Sequence, residues 1–258
     1  MKETIETIKK LLSETWEENE QIRRWRQDER AGVRKMIERW DSEQVKLKTL
    51  QQQWTEMCEY ERYMRQNGAD YVAGIDEVGR GPLAGPVTAA AVILKNDSQL
   101  LGLTDSKKLT KQKREVFNRW IEKNAWIGIG EASPEEIDRI NIYEASKLAM
   151  TRAVENLPVA PDALLIDAMK LPVDIQQLSL IKGDSRSVSI AAASITAKVA
   201  RDQFMTELHG LYPEYGFQKH AGYGTKAHLE AVKTYGILPE HRKSFAPVKE
   251  LAGEIDWE

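Results

Sequence analysis

Along the first seventy residues, apolar side chains recur three and four positions apart, the period that lines one face of an α-helix. Ile5, Ile8, Leu12 and Trp16 form one series. Val33, Met36, Trp40, Leu47, Leu50, Trp54 and Met57 form a second, interrupted at Glu43 and Gln44. The stripe is narrow and its surroundings are charged, which predicts two long helices packed as a hairpin that breaks near Asp28–Gly32. Asn67-Gly68 closes the segment with a turn signal. Beyond it the pattern changes. Tyr71–Ile75 reads as a buried strand running into Asp76 and Glu77, Pro86–Leu94 as a continuous apolar strand, and Trp126–Gly130 as a third. Lys111–Lys123 predicts a short helix or loop crossing between the last two. Ser133-Pro134-Glu135-Glu136 starts a helix with proline at its first position, and a further helix is expected from Asn141 to Leu157, closed by Pro158. Ala163–Ile166 is a fourth strand that delivers Asp167 at its end. Val188–Leu208 predicts an alanine-rich helix, and Thr225–Tyr235 a shorter one before Gly236. Strands first, then strands alternating with helices, indicate a layered α/β domain. Residues 1–68 are thus expected to form a helical N-terminal extension, hairpin-like or coiled-coil-like, and residues 69–258 the main domain.

Composition sharpens this division. Residues 1–70 contain no proline, two glycines and four of the seven tryptophans, with 14 Lys/Arg against 15 Asp/Glu. Such a charged but nearly neutral arm is read first as a packing module, with DNA or partner binding as the alternative. The 258-residue chain has 37 Lys/Arg and 40 Asp/Glu, a formal net charge of −3, so a polyanionic partner must be sought in local charge. Cys58 is the lone cysteine, which excludes an intrachain disulfide and an all-cysteine zinc site. The apolar runs fall far short of the roughly 20 residues that span a bilayer. The opening MKETIETIKK lacks the apolar core of a secretory signal. A cytoplasmic protein with no membrane partner is expected, and nothing past residue 70 demands a second subunit, so a monomer is expected too.

The chemistry is carried by acids. Asp76 and Glu77 follow an apolar strand, as does Asp167, and Asp184 sits in Lys182-Gly183-Asp184-Ser185 just before an apolar helix. Singly, each has a structural explanation, such as a helix cap or a strand terminus. Together they are four carboxylates at the edge of a core, where unpaired charge is rare. Two unit charges 5 Å apart repel by roughly 3 kcal/mol at an effective dielectric near 20. A convergent set would therefore protonate, splay or bind hard cations, and oxygen ligands favour Mg²⁺ or Mn²⁺. The four histidines show no close ligand spacing. Carboxylates holding two such ions serve in-line phosphoryl displacement, which points to phosphodiester chemistry. Directly after the first acids, Val78–Pro86 packs three glycines and two prolines into a loop whose backbone can approach a ligand closely. It matches neither the Walker nor the dinucleotide glycine pattern. Basic residues gather in Asp105–Arg114, with five cations to one anion, and in Lys182–Lys249, with ten to six. Ser106, Ser185, Ser187, Tyr223 and Thr225 add hydroxyls suited to phosphate and sugar.

Six ordered blocks resemble bacterial ribonuclease HII: Tyr71–Pro86 (YVAGIDEVGRGPLAGP), Thr104–Leu109 (TDSKKL), Ile166-Asp167, Lys182–Ile195 (KGDSRSVSIAAASI), Gly222–His228 (GYGTKAH) and His241–Val248 (HRKSFAPV). The resemblance spans roughly residues 70–250. It implies a ribonuclease H-like α/β fold: a five-stranded mixed sheet flanked by helices, with a small helical C-terminal part. It implies an endonuclease that cuts RNA in RNA–DNA hybrids and 5′ to single ribonucleotides in duplex DNA, leaving 5′-phosphate and 3′-hydroxyl ends. The family's metal-binding and catalytic acids fall on Asp76, Glu77, Asp167 and Asp184, for a two-metal Mg²⁺ or Mn²⁺ site. Its ribose-reading motif falls on Gly79, Arg80 and Gly81, and its stacking tyrosine on Tyr223. Lys107, Lys182 and Ser187 resemble its phosphate contacts. A ribonuclease HIII-like enzyme, cutting hybrids without the single-ribonucleotide activity, is the alternative. Against it stand Arg80 and the absence of a strand-rich N-terminal segment. The resemblance leaves the role of residues 1–70 unassigned.

Overall fold

The structure is a computed structural model and describes residues 3–95 and 99–254, so the ends of the expected 1–68 and 69–258 segments lie outside it. Compactness divides the chain into one unit through Thr55 and a second from Glu56 onward. The first holds α1 (Ile5–Glu14), α2 (Glu20–Arg26) and nearly all of α3 (Ala31–Met57). Its core is Ile8, Leu12, Ile22, Trp25, Val33, Ile37 and Trp40. The expected break at Asp28–Gly32 is present between α2 and α3, but a second break at residues 15–19 turns the two-helix hairpin into three helices. Thr15 leaves helical geometry, and Asn19 starts the next helix by accepting the amides of Gln21 and Ile22. Trp16 therefore leaves the apolar stripe and stands 70% exposed.

The second unit opens with α4 (Glu59–Gln66) and continues with β1 (Val72–Val78), β2 (Val87–Leu94), α5 (Lys111–Asn124) and β3 (Ala125–Ala132). Next come α6 (Pro134–Glu155), β4 (Ala163–Asp167), β5 (Gln176–Leu180) and α7 (Val188–Leu211). Three shorter helices follow: α8 (Phe217–His220), α9 (Lys226–Tyr235) and α10 (Val248–Glu254). The strands form a five-stranded sheet in the order β3-β2-β1-β4-β5. The β1–β2 and β2–β3 pairs are antiparallel, whereas β1–β4 and β4–β5 are parallel. This is the mixed sheet that the resemblance implies. β5 gives no apolar signal because it is a half-exposed edge strand, Gln-Gln-Leu-Ser-Leu, without hydrophobic alternation.

Helices cover both faces. Ala73, Ile75, Ala89, Ala91, Leu164 and Ile166 pack on one side with Ala145, Ala149, Met150 and Ala153 of α6. The capping box at Ser133–Glu136 starts α6, and Asn141, at φ 68°, kinks it and recaps the continuation through the amides of Tyr143 and Glu144. On the other side α7 lies against β1 so closely that a Cβ at Gly74 would fall on the backbone of Ser189 and Ile190. An alanine-rich helix is what this close approach requires.

Candidate active site

Strand alternation decides where the acids point. Residues 73 and 75 of β1 face α6, so Gly74 and Asp76 face α7. In β4, Leu164 and Ile166 face α6, while Leu165 and Asp167 face the α7 side, where Leu165 packs with Ile190. β1 and β4 are parallel, and Ile75 pairs with Ile166. One residue further on, Asp76 and Asp167 thus lie side by side at the C-terminal ends of adjacent strands. Such strand ends are where open α/β sheets carry their ligands. Asp184 comes from the short 3₁₀ turn Gly183–Ser185 that enters α7, and Gly183 donates its amide to Asp167 Oδ1 at 2.8 Å.

The four acids sense each other. Asp76 is 6% exposed; burial first, then the charges of Glu77, Asp167 and Asp184, push its pKa well above the usual carboxylate value. Against this, the hydroxyl of Ser194 in α7 favours the ionised Asp76, and its Oγ lies 3.0 Å from that of Ser106. Glu77 is also pushed up, by burial foremost, with Arg80 opposing and Asp167 reinforcing the shift. Its Oε1 meets Arg80 Nη1 at 3.4 Å, while its buried Oε2 has no hydrogen-bond partner. Asp184 is raised by burial and then by Asp105 and Asp167, with Lys107 opposing. Asp105 is an acid that the sequence pattern does not single out: it caps the Ser106–Lys108 turn, and its charge acts on Asp184.

As the side chains stand, no three His, Cys, Asp or Glu groups among the described residues form a set that could hold a metal ion. Glu77 is turned onto Arg80. The donor chemistry nonetheless fits a hard divalent cation: all-oxygen carboxylates, mutually repelling, with one buried oxygen lacking any partner.

The other expected residues separate into two groups. Gly79–Gly81 follow Glu77 after Val78 alone, and a Cβ on Gly81 would stand 3.5 Å from the ring of Tyr223, which is 50% exposed. Lys107 and Lys182 are exposed beside Asp184 in the chain or in its field. Ser187 departs from expectation. It is fully buried, and its hydroxyl donates to Glu61 of α4 at 2.5 Å while accepting the Ile190 amide. That hydroxyl caps α7 and is taken up by Glu61. Glu61, 3% exposed, also accepts the Ser189 amide, and nothing in the charged pattern of its helix sets it apart.

The chain resembles known proteins throughout. The sequence pattern of the family Ribonuclease HII matches residues 73–248, and that of the Ribonuclease HII N-terminal domain matches residues 4–65. Ribonuclease HII of Bacillus cytotoxicus is 54% identical over 250 residues, covering 96% of each chain. That of Bacillus licheniformis is also 54% identical, covering 95% of this chain and 97% of the relative. Among solved structures, ribonuclease H2 from Pyrococcus horikoshii superposes with a TM-score of 0.61 at 25% identity, covering 73% of this chain and all of that one. A chain of the PCNA–RNase HII complex from Archaeoglobus fulgidus gives a TM-score of 0.56 at 26% identity, covering 67% and 93%. With identity of this order held across nearly its whole length, the chain belongs to the ribonuclease HII family, whose ribonuclease H endonuclease activity on RNA–DNA hybrids it shares.

Proposed function

We propose that this ribonuclease H requires a divalent cation and nicks duplex DNA 5′ to a single embedded ribonucleotide, in addition to cutting continuous hybrids. Its role would then be ribonucleotide removal during replication and repair. The observation that carries the reading is the placement of Gly81 against the exposed ring of Tyr223, a few residues from the Asp76–Glu77 strand end.

Asp76, Glu77, Asp167 and Asp184 would hold Mg²⁺ or Mn²⁺. When bound, such ions supply charge neutralisation at the phosphodiester and activation of water. The protein's own groups do the rest. Arg80 holds its positive charge beside Glu77 and so favours the ionised carboxylate. The Gly79–Gly81 backbone, free of side-chain bulk at both glycines, meets the ribose 2′-hydroxyl, the group that distinguishes RNA from DNA. Tyr223 stacks on the following deoxyribose, which sets the requirement for an RNA-to-DNA junction. Lys107 and Lys182 take phosphates, positioning the strand without reading bases. Cutting is therefore independent of sequence, and the products carry 5′-phosphate and 3′-hydroxyl ends.

The test is cleavage of a labelled DNA duplex containing one ribonucleotide, beside an all-RNA/DNA hybrid, with Mg²⁺ or Mn²⁺, with chelator, and with Asp76→Asn. A single nick 5′ to the ribonucleotide that disappears in the variant and in chelator is expected. Cutting of the hybrid alone would withdraw the roles given to Gly79–Gly81 and Tyr223.

A further inference from the structure

Two arginines that the reaction does not touch lie beneath the Gly79–Pro86 loop. Arg201 of α7 and Arg242, in the segment before α10, are 1% and 0% exposed. Every hydrogen bond from their guanidinium groups goes to a backbone carbonyl. Arg201 donates to Pro86, Ala84 and Ala221, each at 3.1 Å. Arg242 donates through Nε to Gly85 at 3.0 Å, through Nη1 to Arg80 at 2.9 Å, and through Nη2 to Gly79 at 2.5 Å and Gly85 at 2.8 Å. Neither takes part in an ion pair among the described residues, and Arg242 is capped on its flat side by Phe245, 5.1 Å from ring centroid to guanidinium carbon. Burying two cations without carboxylates at ion-pair distance, with the charge of Arg201 acting against that of Arg242, is expensive. The cost is met by carbonyl dipoles drawn from one loop.

That geometry fixes the direction of the loop's amides. In a trans peptide the C=O of one residue and the N–H of the next point to opposite sides. With the carbonyls of Gly79 and Arg80 turned down onto Arg242, the N–H groups of Arg80 and Gly81 point away from it. Arg201 acts at the other end of the same arrangement. It binds Ala84 and Pro86 on the loop and Ala221 two residues before Tyr223, while the Leu83 amide donates to the Gly222 carbonyl at 2.8 Å. Gly79 has φ +91°, and a Cβ there would collide with the Arg201 side chain. The arginine can lie there only because residue 79 has no side chain.

We propose that Arg242 and Arg201 are positioning residues for ribose recognition. Arg242 aims the amides of Arg80 and Gly81 at the 2′-hydroxyl, and Arg201 sets the spacing between that loop and Tyr223. The inference rests on the reading above that this loop meets the ribose. It depends on the planar fork and not on charge alone. A lysine ammonium offers three donors from one nitrogen and cannot reach the carbonyls of residues 79, 80 and 85 together.

The experiment compares wild type with Arg242→Lys and Arg201→Lys, each checked by circular dichroism and thermal melting. Steady-state cleavage is measured on a single-ribonucleotide duplex and on a continuous RNA/DNA hybrid. In the hybrid every sugar carries a 2′-hydroxyl and many registers are productive, so loss of aim is shared among them. With one ribonucleotide there is a single register. A displacement of the order of 1 Å costs up to about 100-fold. For Arg242→Lys, kcat/KM on the single-ribonucleotide duplex should fall at least ten-fold more than on the hybrid, mainly through kcat. Equal losses on both substrates, or none, would overturn the proposal. If Arg242→Lys loses cooperative melting, Arg201→Lys carries the same comparison, with the same results supporting or overturning the proposal. A wild type that cuts the hybrid but never the single-ribonucleotide duplex would overturn the underlying reading and this inference with it. A wild type that nicks, beside variants that keep its substrate ratio, would overturn the inference alone.

Discussion

Acid should weaken this fold through His241. The ring is 1% exposed, and its two nitrogens are already committed. Nδ1 accepts the Leu238 amide at 2.9 Å, so the proton sits on Nε2, which donates to His228 Nε2 at 3.1 Å. His228 must then carry its proton on Nδ1, which donates to the Tyr223 carbonyl at 2.9 Å. A second proton on His241 would set Nδ1–H against the Leu238 N–H. Burial first, and His228 second, push the His241 pKa down to about 4. A histidine whose folded pKa is depressed contributes stability that is complete above its unfolded pKa, near 6.5, and drains away as pH falls toward the folded value. Linkage between about 6.5 and about 4 gives a loss of about 2 kcal/mol at pH 5 relative to pH 8. At roughly 2–4 °C per kcal/mol for a domain of this size, that is a drop in Tm of about 4–8 °C.

Other groups act in the opposite sense, so the wild-type curve alone does not isolate the effect. Asp76, Glu77, Glu61 and Asp184 have raised pKa values, each through burial foremost. A raised carboxyl favours the folded state at low pH and loses that advantage as pH rises through its folded pKa. The comparison is therefore between wild type and His241→Gln, whose amide can accept from Leu238 and donate to His228 without titrating. Thermal melts of the metal-free proteins from pH 8 to pH 5 should show the variant's deficit shrinking by about 2 kcal/mol as pH falls. Parallel curves over that range would refute the assignment of a neutral, doubly committed His241.

Three further outcomes follow from the packing. Gly74→Ala places a methyl on the Ser189–Ile190 backbone and should cost about 3 kcal/mol by chemical denaturation, because α7 cannot shift without lifting off the sheet. Glu61→Ala strands the Ser187 hydroxyl and the Ser189 amide at the start of α7, an expected loss of about 2–4 kcal/mol, with lower hybrid cleavage because Asp184 lies three residues upstream. Glu136, whose pKa is lowered to about 2 by its hydrogen bonds to Arg152, contributes stability that is present above about pH 4.3 and lost as pH falls toward 2. Glu136→Gln should cost about 1 kcal/mol at pH 7, with the difference vanishing in the acid limb of the stability curve.

These perturbations fall mostly on residues that pattern reading could not single out, for a physical reason. Asp76 and Asp167 are legible because charge at the end of an apolar strand is costly, and a one-dimensional pattern records that cost. The sheet order is not so recorded: Gln176–Leu180 pairs with β4 along a half-solvated edge and needs no apolar face. Glu61 looks like any of the fifteen acids in the first seventy residues, and only the arrival of Ser187 and Ser189 beside it makes it a cap. Trp16 shows the converse, a helix-period tryptophan released to solvent because Asn19 offers the backbone a better start three residues later.

The arginines carry this furthest. Arg242 sits in a block already recognised by resemblance, yet its partners are carbonyls more than 150 residues away at Gly79, Arg80 and Gly85. A carbonyl is present at every position and leaves no trace in composition or period, so an interaction made with backbone alone is silent in the sequence of its acceptor. What sequence does preserve is the exclusion such a contact imposes. Gly79, at φ +91°, has no room for a Cβ while Arg201 lies against it, and Gly222, at φ +83°, would bring a Cβ to 2.5 Å from the Ala84 carbonyl. Gly79, which suggests ligand approach in the one-dimensional reading, is thus, in part, the imprint of the buried Arg201 side chain pressing the loop from below. The two explanations are compatible: a loop held rigidly from beneath by side chains is one whose outer face can be presented bare to a sugar.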